Sequence, residues 1–198
     1  MRFFRLLTVL GAGLLLQACL PPATTHPVGT TVGLHADPAL TGLWHGKMEN
    51  SASDERGAYF HFLPKVDGSI TVVLVQDGDK PDGDWSVASI TTATLGANHF
   101  FNAKLTHSGD KSDAEDQTPN TMPMLYRFDG PRHLTLFFMD EDATKAAIQS
   151  GAIKGTVEPG QFGDATITAD PKSLDAFMTT KKAAALFGAK FATLTKME

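Results

Sequence analysis

The chain has one cysteine, Cys19, in 198 residues. That excludes a disulfide framework and any cysteine-built zinc site. It has no basic excess. Its 17 Lys and Arg stand against 22 Asp and Glu, a formal charge of −5, so no positive field is present to meet a nucleic-acid backbone. It has no long apolar run either: the most apolar stretch, residues 6–16, is eleven residues long, where a membrane-crossing helix needs about 20. Gly-x-Ser-x-Gly, His-Glu-x-x-His, Gly-x-Gly-x-x-Gly and the P-loop are all absent. What remains is 42% hydrophobic and 20% charged, the usage of one globular domain.

The first residues carry a processing signal. Arg2 and Arg5 precede the apolar stretch, which ends in Leu16-Gln17-Ala18-Cys19. A short basic region followed by a short apolar core is the layout of a secretory signal peptide, to be left out of fold reasoning. Leu16 to Cys19 resembles the lipobox of bacterial lipoproteins. The resemblance implies cleavage before Cys19, a diacylglyceryl thioether on its sulfur and acylation of the new amino terminus. Several acyl chains, at about 0.8 kcal/mol per buried CH₂, anchor a protein without a transmembrane helix. Leu20, where an aspartate favours inner-membrane retention, implies the outer membrane, facing the periplasm. Residues 1–18 are thus expected to be removed, and residues 19–36 to be a lipidated cysteine with a flexible tether. The tether expectation rests on the prolines, threonines and glycines of 20–36, which show no apolar period. His26 and His35 within it are expected to be solvated.

From Asp37 to Glu198 a single β-rich domain is expected. Short runs of β-branched and aromatic residues alternate with turn clusters. The strands read as 42–49, 58–65, 69–76, 85–95, 98–106, 122–129 and 132–139. A helix is predicted at 141–150, with Asp140 as N-cap and Gly151 behind it. Two short strands, 153–158 and 165–169, come next. A second helix, 172–187, starts from Asp170-Pro171, and a last strand spans 191–196. The fold class is therefore mainly β, an antiparallel up-and-down barrel or meander with two short helices in the C-terminal third. Short glycine-bearing turns at 66–69, 95–97 and 129–131 alternate with the long polar connections 50–57, 77–84 and 107–121. In a meander, alternate connections share one end. Losing residues 1–18 removes two basic and no acidic side chains, so the mature charge is −7, and the three long connections together carry all of it. One end of the fold should be strongly acidic.

Gly42-Leu43-Trp44 at the start of the first long strand is similar to the first signature of lipocalins. So are the alternation of long and short loops and the helix before a short final strand. That family implies an eight-stranded barrel with the tryptophan packed across its closed end. Two of its features are missing. Only Asp129 stands for the second signature, and no late arginine is available to cover the tryptophan, Lys190 and Lys196 being the only late bases. Another closed barrel or a β-sandwich therefore stays open. The C-terminal portion is also similar to uncharacterised proteobacterial envelope proteins, which implies no function.

No catalytic residue or cofactor site emerges from the spacing, and a non-catalytic protein is expected. No two histidines sit at i, i+2 on a strand or i, i+4 on a helix, so no local pair seeds a metal site. Asp77, Asp79, Asp82 and Asp84, four aspartates within eight residues, are the best candidate for a calcium loop, yet Pro81 and the missing late glutamate break the EF-hand pattern. Aspartates and glycines also simply make turns. The positive expectation is an apolar interior. By strand alternation Phe60, Phe62, Val72, Leu74, Phe101, Leu105, Met124, Tyr126, Phe128, Leu134, Leu136 and Phe138 share inward faces. They line a cavity for a small apolar or amphipathic ligand, or they fill the core of an interaction protein whose partner is another envelope protein.

Overall fold

The computed structural model describes residues 21–49, 57–76, 84–108, 120–158 and 165–197. Eight strands close into an antiparallel barrel: β2 (Gly42–Met48), β3 (Gly57–Pro64), β4 (Ile70–Gln76), β5 (Asp84–Leu95), β6 (Asn98–Ser108), β7 (Met122–Phe128), β8 (His133–Phe138) and β11 (Ala189–Lys196). Neighbours in sequence are neighbours in space up to β8, and β11 then pairs with both β8 and β2 to seal the ring. The expected meander is therefore a closed barrel and not a sandwich. Inward positions alternate as the sequence requires: Trp44, Phe60, Phe62, Val72, Phe101, Met124, Tyr126, Leu134 and Leu136 are all buried in one core.

The strand ends joined by 50–56, 77–83 and 109–119 lie together, since Lys47 faces Gly57, Gln76 faces Asp84 and Ser86 faces Ser108. This end is the mouth. The tight turns close the other end, with Gly68, Gly96 and Gly130 at positive φ.

Between β8 and β11 the chain folds onto the outside of the barrel. It forms α1 (Glu141–Gln149), β9 (Gly155–Val157), β10 (Ala165–Ile167), α2 (Pro171–Met178) and α3 (Lys181–Ala184), followed by a 3-10 turn, Ala185–Phe187. Asp140 caps α1 through the Ala143 amide, and Asp170 caps α2 through Lys172 and Ser173. The helix expected at 172–187 is broken. Thr180 has extended backbone and accepts from the Ala183 amide, so it starts a new helix instead of continuing the old one. Among the described residues there are thus three short helices, not two. They bury a second core, in which Phe100, Leu125 and Phe137 of the outer wall meet Leu174, Phe177, Met178, Leu186 and Phe187. No helix among the described residues is long and apolar enough to cross a membrane.

The tether expectation is overturned for residues 21–36. β1 (Ala23–Thr24) runs parallel to β10 and, with β9, makes a small separate sheet. Thr24 also exchanges both backbone hydrogen bonds with Thr121, just before β7. Val28 is fully buried, and its N–H and C=O are both held by the Asn102 side-chain amide, at 2.7 and 2.8 Å. Asp175, buried on α2, accepts from the Gly29 and Thr31 amides and the Thr31 hydroxyl at 2.6, 2.8 and 2.6 Å. Gly29 sits at φ 90°, and a Cβ there would collide with the Cβ of Ala93, so only glycine lets the segment lie this close to β5. Further on, the His35 and Thr92 backbones pair, and the chain turns under the barrel. The His26 and His35 side chains are exposed, as expected.

Candidate functional site

The closed end is sealed by the 3-10 turn Pro38–Leu40, which Asp37 caps. Trp44 is fully buried behind it and donates its indole N–H to the Leu40 carbonyl at 2.7 Å. The expected gap over the tryptophan is filled. The Lys196 ammonium lies 5.2 Å from the indole ring and reaches the Ala39 carbonyl at 3.3 Å. Tyr126 completes the seal by donating its hydroxyl to Asp37 at 2.7 Å. Burial, reinforced by that carboxylate, pushes its phenol well above the usual tyrosine range.

Above the seal, aromatic rings meet across the lumen. Phe62 on β3 lies 6.0 Å from Phe101 on β6, which stacks on Tyr126 at 4.4 Å. Trp44 on β2 reaches Phe128 on β7 at 6.2 Å. Phe62 and Phe101, and Trp44 and Phe128, come from strands that are not neighbours, so aromatic rings bridge the lower half of the barrel.

The mouth is different. Met48, Leu74, Ala88, Met122, Phe138 and Phe191 pack on the core but are only partly buried. Phe191 is there because of a register shift between Lys190 and Ala192. By simple alternation it would face outward, since Ala192 and Leu194 face in. The bulge turns its ring onto Phe138 at 4.2 Å and Phe60 at 6.3 Å. Of the twelve residues expected to share the interior, eleven do so. Leu105 departs: its register opposite Ala88 keeps it on the inner face, but β6 has by then run past its last partner on β7, and the side chain is 40% exposed. Met48 and Met122 were legible by parity with Trp44 and Met124. Only the bulge brings in Phe191.

Cys19, Asp77, Asp79 and Asp82 lie outside the described residues; Asp84 opens β5. Among the described residues no three His, Asp or Glu side chains converge as metal ligands. His45 and His61 are on outward positions of β2 and β3, and His99 lies against Thr94 and, at 5.4 Å, Tyr126. A shallow hollow outside the barrel, between β6, β7 and α2 with α3, is lined by Phe100, Leu125, Arg127, Met178 and Phe187 and has room for about one water. No family model, curated protein or solved structure matches the chain.

Proposed function

We propose that this is a lipid-anchored protein of the bacterial envelope, held through Cys19 at the outer membrane and facing the periplasm, and that its barrel mouth takes the apolar end of a small amphipathic molecule. The observation behind the binding reading is the ring of half-buried apolar side chains at the mouth, Met48, Leu74, Met122, Phe138 and Phe191, above a packed aromatic floor. Half-exposed apolar groups converging at one end of a barrel are a ready binding surface. The floor limits depth, so the ligand inserts a short group and leaves its head outside. The head is neutral or cationic, because the three connections joined to this end carry all of the mature chain's net negative charge.

Mass spectrometry of the denatured, purified protein and binding assays with anionic, neutral and cationic amphiphiles test the reading. Leu74→Gln should weaken binding about tenfold, the usual scale for one lost apolar contact. Replacing Asp77, Asp79, Asp82 and Asp84 with Asn should weaken cationic ligands alone. Tight binding of an anionic lipid, indifferent to both changes, overturns it. For the anchor, Cys19→Ala should abolish labelling by radioactive palmitate, and equal labelling of both chains refutes it. A second reading, an interaction lipoprotein without a ligand, is favoured by the ring contacts that fill the lower barrel; it expects no copurifying molecule.

A further inference from the structure

The N-terminal segment divides into a seated part, a short hinge and a second fixed point. Residues 23–31 are seated. Ala23 and Thr24 pair with β10, the Asn102 amide holds the Val28 backbone, and the Asp175 carboxylate holds Gly29 and Thr31. His35 is fixed again by the Thr92 backbone. Between these points lie Val32, Gly33 and Leu34, all exposed. The chain turns there, with the Val32 and Gly33 amides both donating to the Gly29 carbonyl at 3.1 Å. Gly33 holds the turn at φ 96°, in the left-handed region that side chains disfavour.

The partners of the seated part are not its chain neighbours. Asn102 lies 74 residues beyond Val28, and Asp175 lies 146 beyond Gly29. A strap arriving from another molecule would therefore meet the same amide and the same carboxylate. Exchange keeps every seated hydrogen bond and alters only the hinge, which is why swapping an identical element is a low-cost route to a dimer. A short hinge invites it, and this one has three residues. The hinge is also apolar where the closed chain gains nothing from it: Val32 is 58% exposed and Leu34 37%. We propose that residues 23–31 are exchangeable, and that a second copy of this chain supplies them to the Asn102–Asp175 seat in a two-fold, strap-swapped dimer. In it the hinge is extended and spans about 14 Å from Thr31 to His35. The two hinges run past each other at the dimer axis, where Val32 and Leu34 of one copy cover those of the other. Neither the lipid anchor nor the ligand at the mouth enters this inference.

Size-exclusion chromatography with light scattering tests it on the chain from residue 19 onward, with Cys19→Ala throughout so that no acyl chain contributes. Gly33→Val should strengthen dimerisation about tenfold or more, because a β-branched residue resists the positive φ of the closed turn and is at ease in an extended hinge. A Cβ at Gly33 meets nothing within 4 Å, so the substitution acts on the backbone alone. Two further variants each lack one half of the contact. Gly29→Val cannot seat its strap, since the side chain collides with Ala93. Asn102→Ala with Asp175→Ala removes the groups that hold a strap. Each should be monomeric alone. Their mixture should form a 1:1 dimer, in which the intact strap of the second enters the intact seat of the first. A mixture that stays monomeric overturns the proposal, as does a Gly33→Val chain no more dimeric than its parent. So does a dimer of the chain carrying Gly29→Val, Asn102→Ala and Asp175→Ala together, which would put the contact elsewhere on the surface. If the paired alanines unfold the chain, Asp175→Ala alone takes their place in the mixture.

Discussion

Trp44 concentrates the closed end in one side chain. Its ring is held by the Leu40 carbonyl, covered by Lys196 and packed on Phe128. Trp44→Ala should cost about 3–5 kcal/mol in denaturant melts, the usual range for truncating a buried tryptophan. Lys196→Met should cost about 0.5–1 kcal/mol and Lys196→Arg close to nothing, because a guanidinium keeps the cation over the ring. Tyr126 sets an alkaline limit. Its phenol titrates higher in the folded chain than in the unfolded one, where about 10 is expected. The resulting stabilisation is complete below about pH 10 and is lost as pH rises toward the folded value. Tyr126→Phe should lower stability at pH 7 by about 1 kcal/mol for the lost hydrogen bond and flatten the decline above pH 10. Melts across pH 8–11 check both, and an unchanged alkaline slope would contradict the assignment.

At the scale of elements, the segment 21–36 is a strap fastened by distant residues. Asp175→Ala leaves the Gly29 and Thr31 amides without their acceptor, at about 1.5–3 kcal/mol for hydrogen bonds to a charged group. Hydrogen exchange at residues 28–32 should accelerate more than exchange in β3 or β4, and equal acceleration everywhere would mean that strap and barrel open together. This strap was also the least legible element. Barrel strands declare themselves locally, because Ala58, Phe60 and Phe62 recur at every second place, and Trp44 fixes the parity of β2. The strap has no period. Its order comes from Asn102 and Asp175, far along the chain, and its proline and threonine content looks like a linker until those partners are in place. The mouth was half legible for the same reason: alternation finds Leu74 and Phe138, whereas Phe191 faces inward only through a bulge that no pattern announces. The break before Thr180 was readable, since a threonine three residues before an accepted amide is an ordinary cap.

For the whole molecule, the second core covers one side of the barrel, where Phe100, Leu125 and Phe137 face α2 and the turn after α3. Removing the helices' hold, for instance with Phe177→Ala and Met178→Ala, should uncover Phe100 and Leu125 and raise binding of an apolar dye even where the barrel still melts cooperatively. Dye binding equal to wild type would argue that the outer layer collapses back onto the wall. Each buried truncation should cost about 2–5 kcal/mol.

Closure by β11 also has a consequence for how the chain is made. β2 is synthesised early, but its free edge waits for Ala189–Lys196, with nearly the whole domain in between. Until then β2 and β8 present bare hydrogen-bonding edges, the usual seeds of aggregation. A nascent chain therefore passes through a long interval in which both edges stand unpaired. Chains ending before Ala189 should aggregate even with every other strand intact. Supplying the β11 segment as a separate peptide during refolding should recover soluble barrel, much as a missing stave restores a cask.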